Sequence, residues 1–346
     1  MKALSRREGP GRTGVGAPSG QGVTIYDVAR RAGVGIATVS RAMHGSAPVA
    51  PATRTRILAV IDELGFRPSH LGTSLAEHRH AANGIVFPDL SWPCYADVVL
   101  GFEDAAARSG RSVLIQTTHG RVDPAGAVRD LAGRVDGLVM LGRTVDDAVV
   151  AGLVASGVAV TLLARRPVAG ADCVTVDNLA TARELGIHLA AHGYRSICLL
   201  GPLDGPDDVA ERWVGLRDAL DGVSTELVAC DLDEGSGLDA ASAILARTDR
   251  PDALVCGNDE IALGVIQACE AAGVRVGVDL AVTGWDDIMA ARHARPALTT
   301  VRQPMRLLGT RGAEVLDERI TGTRTTPWNE VLPSELVIRT SCGPHA

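Results

Sequence analysis

A single lysine, Lys2, stands among 34 basic residues, so almost every positive charge is an arginine. This pattern reflects the codon usage of a GC-rich genome and carries little mechanistic information. No apolar run is long enough for a signal peptide or a membrane span, so a cytoplasmic protein without a membrane partner is expected. Cys94, Cys173, Cys198, Cys230, Cys256, Cys269 and Cys342 include no Cys-x-x-Cys pair and mostly sit in apolar stretches. That favours reduced thiols over disulfides or a metal site. His44, His70, His78 and His80 also lack metal-type company, and no metal or cofactor is assigned. There is no GxGxxG at a strand-to-helix turn, no P-loop and no GxSxG, which argues against the commonest nucleotide and acyl-transfer enzymes. Aromatic residues make up 3% of the chain, but 46% of its 346 residues are hydrophobic, so core material is not short.

The net charge of −7 hides a division. Residues 1–80 carry 11 basic and 5 acidic side chains, or +6, while the remainder carries 23 and 36, or −13. A basic head on an acidic body suits a protein that sets one end against phosphates. Residues 1–22, rich in Gly, Ser, Pro and Arg, read as a disordered tail.

The head contains Thr24–Gly45, TIYDVARRAGVGIATVSRAMHG. Thr24 with Asp27 has capping-box spacing, and Ile25, Val28 and Ala29 fall on one helical face. Gly33 ends this helix and Val34 supplies an apolar plug. A second helix is expected from about Ile36 to Met43, with Val39 and Met43 inward and Ile36, Ala37, Thr38, Ser40 and Arg41 outward. A short exposed turn followed by arginine suits the major groove, where arginine takes guanine bidentately and Ala or Ile meets a thymine methyl. A purely structural helical hairpin is the competing reading. Pro51–Leu64 reads as a third helix whose Ile57, Val60, Ile61 and Leu64 close a small core against Val28, Val39 and Met43.

Residues 23–75 resemble the amino-terminal module of the lactose-repressor (LacI-type) family of bacterial transcription regulators. The resemblance rests on Thr24-Ile25, Asp27-Val28-Ala29, Ala32-Gly33-Val34 and Thr38-Val39-Ser40-Arg41. It implies that Ile36, Ala37 and Arg41 read bases, that Thr24, Tyr26, Thr38 and Ser40 hold phosphates, and that His44 lies beside the DNA. Gly35 stands where the family usually has a capping serine. The segment from Phe66 to Ala76 resembles the family's hinge helix, with Leu71 and Leu75 contacting DNA and Leu75 wedged between central base pairs. Gly72 replaces the usual alanine and weakens that helix by about 1 kcal/mol. An ordinary linker is the competing reading of this stretch.

From Gly84 onward, short apolar runs alternate with amphipathic helices, an α/β pattern. The strand-like runs are Ile85–Phe87, Val113–Ile115, Leu138–Leu141, Val158–Leu163, Val174–Val176, Ile197–Leu200, Leu227–Cys230, Ala253–Val255 and Leu280–Thr283. The joints at 109–113 and 192–197 look like one unit used twice, which suggests two similar parallel-sheet subdomains. Such a pair resembles the periplasmic-binding-protein-like core of the same family. Ligands of open parallel sheets settle beyond the carboxyl ends of strands. Asp89, Arg212 (opening a helix after Leu203), Asn258, Asp286 and Gln303 fall there, and each matches a family position near the effector. Trp285 or Tyr95 would face a sugar's C–H surface. Capping is the competing role for Asp286 and Asn258, a surface ion pair for Arg212, and core packing for Trp285. Trp92, Cys94 and Tyr95 depart from the family's commoner Asn, Phe and Phe in the first-strand loop, which leaves the ligand's identity open.

The expected organisation is a disordered tail (1–22), a helix-turn-helix domain (23–68), a hinge (69–80) and an effector-binding and dimerisation core (81–346). In the core, the first subdomain would span 81–177 and 304–323, and the second 178–303 and 324–340. The resemblance implies a regulator, a repressor of sugar uptake and catabolism genes, that binds double-stranded, near-palindromic operator DNA as a homodimer under control of a small sugar effector. No heptad tail suggests a tetramer. A purine-type corepressor and a non-exported sugar-binding protein are the alternatives.

Overall fold

The computed structural model describes residues 23–44, 47–67, 80–203 and 207–343, and the chain divides into two compact units at residues 78 and 79. The expected tail and nearly all of the expected hinge, including Leu71, Gly72 and Leu75, lie outside the described residues.

In the first unit, α1 (Ile25–Ala32), α2 (Ile36–His44) and α3 (Pro51–Leu64) enclose Val28, Ala29, Ala32, Val39, Ala42, Ile57, Val60 and Phe66. The Thr24 amide and hydroxyl donate to Asp27 Oδ2 at 3.0 and 2.7 Å, fixing the start of α1. Gly33 adopts φ 66°, and the Val34 amide reaches back to the Ala29 carbonyl at 3.1 Å, so the chain leaves α1 through a left-handed turn that suits glycine. Pro51 occupies the first turn of α3, where its missing N–H costs nothing. Ile61, Leu64 and Met43 are only partly buried; Ala42 and Phe66 complete the core instead. Phe66, the last core residue of the expected helix-turn-helix domain (23–68), thus packs inside the helical unit although the hinge-like segment begins with it.

The second unit opens with β1 (Ala82–Phe87), α4 (Tyr95–Arg108), β2 (Ser112–Thr117), α5 (Pro124–Ala132), β3 (Gly137–Leu141), α6 (Asp147–Ala155), β4 (Ala159–Leu163) and β5 (Asp172–Val176). It continues with α7 (Asn178–Ala191), β6 (Ser196–Gly201), α8 (Asp207–Ala219), β7 (Ser224–Ala229), α9 (Glu234–Leu245), β8 (Ala253–Cys256), α10 (Asp259–Ala271) and β9 (Ala281–Thr283). The last elements are α11 (Met289–His293), β10 (Thr300–Arg302), α12 (Met305–Thr321), β11 (Asn329–Leu332) and β12 (Glu335–Val337). All nine expected strand runs fall on β1–β9.

The first sheet has the order β11-β5-β4-β3-β1-β2 and the second β7-β6-β8-β9; every pair within them is parallel. Strand alternation assigns the cores. Ile85, Phe87, Val139, Leu141, Leu163 and Val174 face α4 and α12, while Val86, Leu138, Met140, Leu162 and Cys173 face α5 and α6. Cys198, Leu200, Leu254 and Cys256 face α9 and α10, and Ile197, Leu199, Ala253 and Val255 face α7 and α8. The repeated joints place Gly110 and Gly193 alike at φ 68° and 78°, yet they lead into different strands. β2 is an edge and β6 is internal, so the counterpart of β6 is β1.

One boundary is corrected. Residues 324–332, expected in the second subdomain, belong to the first: β11 pairs with β5, and Arg324 Nη1 and the Trp328 amide donate to buried Asp172 at 2.6 and 2.8 Å. The half-exposed Asn-Glu-Val-Leu of this edge strand carries no apolar run to advertise it. The chain therefore crosses between subdomains after β5, after β10 and after β11. The α4/α12 contact is unusually close: a Cβ on Gly101 would stand 1.9 Å from the Arg306 carbonyl oxygen, and one on Gly309 2.0 Å from that of Val98.

Candidate functional site

On the helix-turn-helix unit, Val39 is fully buried and orients α2 so that Ile36, Ala37 and Arg41 face outward. Tyr26 is exposed, while Thr38 and Ser40 are half-buried. The Gly35 carbonyl accepts from the Thr38 and Val39 amides, so glycine starts α2 without a side-chain cap. The Thr24 hydroxyl is committed to Asp27, whose carboxyl this bond, the Thr24 amide and the Arg30 charge hold below its ordinary value. The side chain of His44 lies outside the described residues.

In the second unit, α4 brings Cys94 and Tyr95 from the first subdomain toward Arg212 and Asp286 from the second. Burial raises the Cys94 thiol well above its usual value, the Asp286 carboxylate raises it further, and the Arg212 guanidinium opposes both. Tyr95 is likewise raised, first by burial and then by Cys94, Asp89, Asp208 and Asp286. The expected residues Asp89, Cys94, Tyr95, Arg212 and Asp286 thus share one electrostatic neighbourhood. Tyr95 also stacks on Trp92 at 5.4 Å between ring centres, and Asp89 Oδ1 accepts from the Ser91 amide and hydroxyl at 2.9 and 2.6 Å.

Arg212 lies within α8 and does not open it, as the sequence had suggested; Asp207 does. Its guanidinium is buried and donates to Asn178 Oδ1 (3.1 Å), the Gly257 carbonyl (2.7 Å) and Asp208 Oδ2 (2.7 Å). Asp208 sits one helical turn before Arg212, a spacing that could have been read from sequence; Asn178, from another helix, could not. Asn258 caps α10: Oδ1 accepts from the Ile261 amide and Nδ2 donates to the Leu232 carbonyl. Trp285 is 1% exposed, packed among Val255, Ala281 and Val301, with Arg212 over its ring. Asn258 thus takes the capping position and Trp285 the core position that competed with a ligand role for each.

Asp286 and Asp287 adopt φ 119° and 56°, conformations that cost a non-glycine residue about 1–3 kcal/mol each. The turn sends their side chains to different partners. Asp287 accepts from Arg339 Nη2 (2.5 Å), Arg302 Nε (2.7 Å) and Arg292 Nη2 (3.2 Å). Burial raises its carboxyl, but the Arg339 and Arg302 hydrogen bonds win and hold it below the usual range. Asp286 Oδ1 accepts from Gln303 Nε2 at 2.5 Å, and Asp286 caps no helix. Burial, with Asp259 and Asp208 nearby, pushes Asp286 up to about 8 against the pull of Arg212 and Gln303. Near neutral pH it therefore keeps its proton and can both donate to and accept from a ligand hydroxyl.

A cavity of about 650 Å³ adjoins this group, and Cys94, Asp286 and Gln303 line it with Asp97, Arg292 and Arg302. The size is that of a small-molecule site. Elsewhere between the subdomains, Asp207 Oδ1 stands 3.3 Å from Arg143 and 3.4 Å from Arg166, closing the second subdomain onto the loops after β3 and β4.

A helix-turn-helix unit joined to a two-sheet core whose chain crosses three times defines a DNA-binding regulator with a periplasmic-binding-protein-like body. Comparison with known proteins agrees. The profile "Bacterial regulatory proteins, lacI family" matches residues 24–69, and that of a periplasmic binding protein-like domain matches 187–342. The HTH-type transcriptional regulator CelR of Thermobifida fusca is 33% identical over 335 residues, covering 92% of this chain and 98% of that one. A solved transcriptional regulator CelR-cellobiose complex is 32% identical with a TM-score of 0.70, covering 92% and 99%. The lac repressor dimer bound to operator and the anti-inducer ONPF is 28% identical with a TM-score of 0.83, covering 93% and 99%. The chain belongs to the lacI family of bacterial regulatory proteins, which are DNA-binding transcriptional regulators. Among the described residues no helix is long and apolar enough to cross a membrane.

Proposed function

We propose that this protein is a dimeric, effector-controlled repressor of sugar uptake and catabolism genes. Two copies of α2 read the half-sites of a near-palindromic operator through Ile36, Ala37 and Arg41, with Tyr26, Thr38 and Ser40 on phosphates; Leu71 and Leu75 of the hinge contact its centre. The effector is a polyhydroxyl compound bound between the subdomains by Tyr95, Asp286 and Gln303, with Asp89 at the mouth and Arg212 fixing the floor. The carrying observation is the grouping of Tyr95, Arg212, Asp286 and Gln303, drawn from both sides of the cleft and rich in donors and acceptors. Cellobiose in the CelR complex and operator in the lac repressor complex support the two halves of this reading.

Effector binding acts by preferring one subdomain arrangement, which changes the fraction of dimers competent for DNA. A purine-type effector is the second reading, favoured by the stacked Trp92–Tyr95 pair at the site. Selection of operator DNA from a random pool, repeated with sugars and purines, tests the proposal. A near-palindromic consensus whose occupancy responds to one ligand class is expected. Recovery of no consensus, or indifference to both classes, overturns it.

A further inference from the structure

The second subdomain holds a side-chain cluster that the regulatory reading does not use. His188 and His192 lie four residues apart at the carboxyl end of α7, where the segment after β12 places Cys342 beside them. One nitrogen from each imidazole and the Cys342 sulfur lie within 4.8 Å of one another. The His188 Nε2 to Cys342 Sγ separation is 3.3 Å. Two ligands held at ordinary zinc–nitrogen and zinc–sulfur distances in a tetrahedron stand about 3.5 Å apart, so this edge is already near its bound length. The rings meet at 4.8 Å, edge to face.

The surroundings hold these groups in place. Tyr194 Oη donates to the Cys342 carbonyl at 2.6 Å and its ring stacks on His192. The Thr299 hydroxyl lies 3.0 Å from the sulfur, and Ser341, next in the chain, bonds the Val282 carbonyl and the Thr299 amide. The sulfur is enclosed while both histidines are half-buried, which gives an ion a route in from the imidazole side. The carboxyl end of α7 also carries the negative pole of the helix dipole, which favours a cation.

The geometry points to a three-ligand site for a borderline-soft divalent metal of the zinc class, held by His188, His192 and Cys342, with the fourth position open to water. Binding exchanges the thiol proton for a metal–sulfur bond and releases that proton to solvent. The ion clamps the segment after β12 onto α7 and so stabilises the second subdomain.

The test uses full-length protein stripped with chelator, in a non-coordinating reductant, titrated with Zn²⁺ and separately with Co²⁺. One equivalent should bind per chain, the Tm should rise with Zn²⁺, and the Co²⁺ form should show a thiolate-to-cobalt charge-transfer band. Cys342→Ser should abolish that band, and His192→Gln should weaken Zn²⁺ binding at least about tenfold. Cys269→Ser, which alters a buried thiol on α10, should leave both readouts unchanged. A folded parent without the band, or a band that survives Cys342→Ser, overturns the proposal. Should Cys342→Ser fail to fold, unchanged Zn²⁺ affinity in His192→Gln overturns it equally.

Discussion

The Arg212 guanidinium lies over the Trp285 ring, its carbon 4.6 Å from the ring centre, with Asn178, Gly257 and Asp208 bonding its edges. A cation so enclosed is part of the scaffold as well as of the cleft. Arg212→Ala leaves Asp208 without its cation and should cost about 3–5 kcal/mol. Urea denaturation should show the loss together with a weakened ligand response; a stable, folded Arg212→Ala protein would mean that the buried contacts matter little.

The turn carrying Asp286 predicts a pH effect. Its pKa rises from 3.8 to about 8 on folding, so the folded state keeps a proton that the unfolded state releases. Stability from this group is full below pH ~4 and is lost as pH rises toward about 8. Asp286→Asn should flatten that part of the unfolding profile and be relatively more stable near pH 8. If the slopes of parent and variant coincide, the shift is absent. The same substitution should weaken effector binding in calorimetry, because the asparagine amide cannot offer both roles through one oxygen.

For DNA, Arg41→Ala should lose about 1–3 kcal/mol of operator affinity and relax preference at one position per half-site. Thr38→Ala should weaken all sequences alike. Footprinting across a panel of single-base operator variants separates the two; unchanged preference in Arg41→Ala removes that residue from base reading.

The α4/α12 crossing gives a purely structural prediction. A methyl group on Gly309 would stand 2.0 Å from the Val98 carbonyl oxygen, so the helices must part. Gly309→Ala should cost about 1–3 kcal/mol by thermal unfolding, whereas Gly35→Ala, which meets nothing within 4 Å, should not. Equal stability of both variants would show that the contact is not tight.

Local chemistry was decided by the sequence alone. The helix ends at Thr24, Gly33 and Pro51, the spacing of Val28 and Val39, and the apolar runs of β1–β9 each depend on neighbours within a few residues, so each element could be read directly. The candidate cleft was legible as polar residues beyond strand ends, because parallel sheets leave those ends open. Their individual roles were decided by tertiary structure. Asn258 became a cap and Trp285 a core residue, while Asp286, whose cap reading was equally open, met Gln303, just past β10 and 17 residues away. The allegiance of β11 depended on pairing with β5 across more than 150 residues, and the meeting of Cys342 with His188 on a separation of 154. Such contacts are set by packing between distant segments, and no periodicity within either segment encodes them.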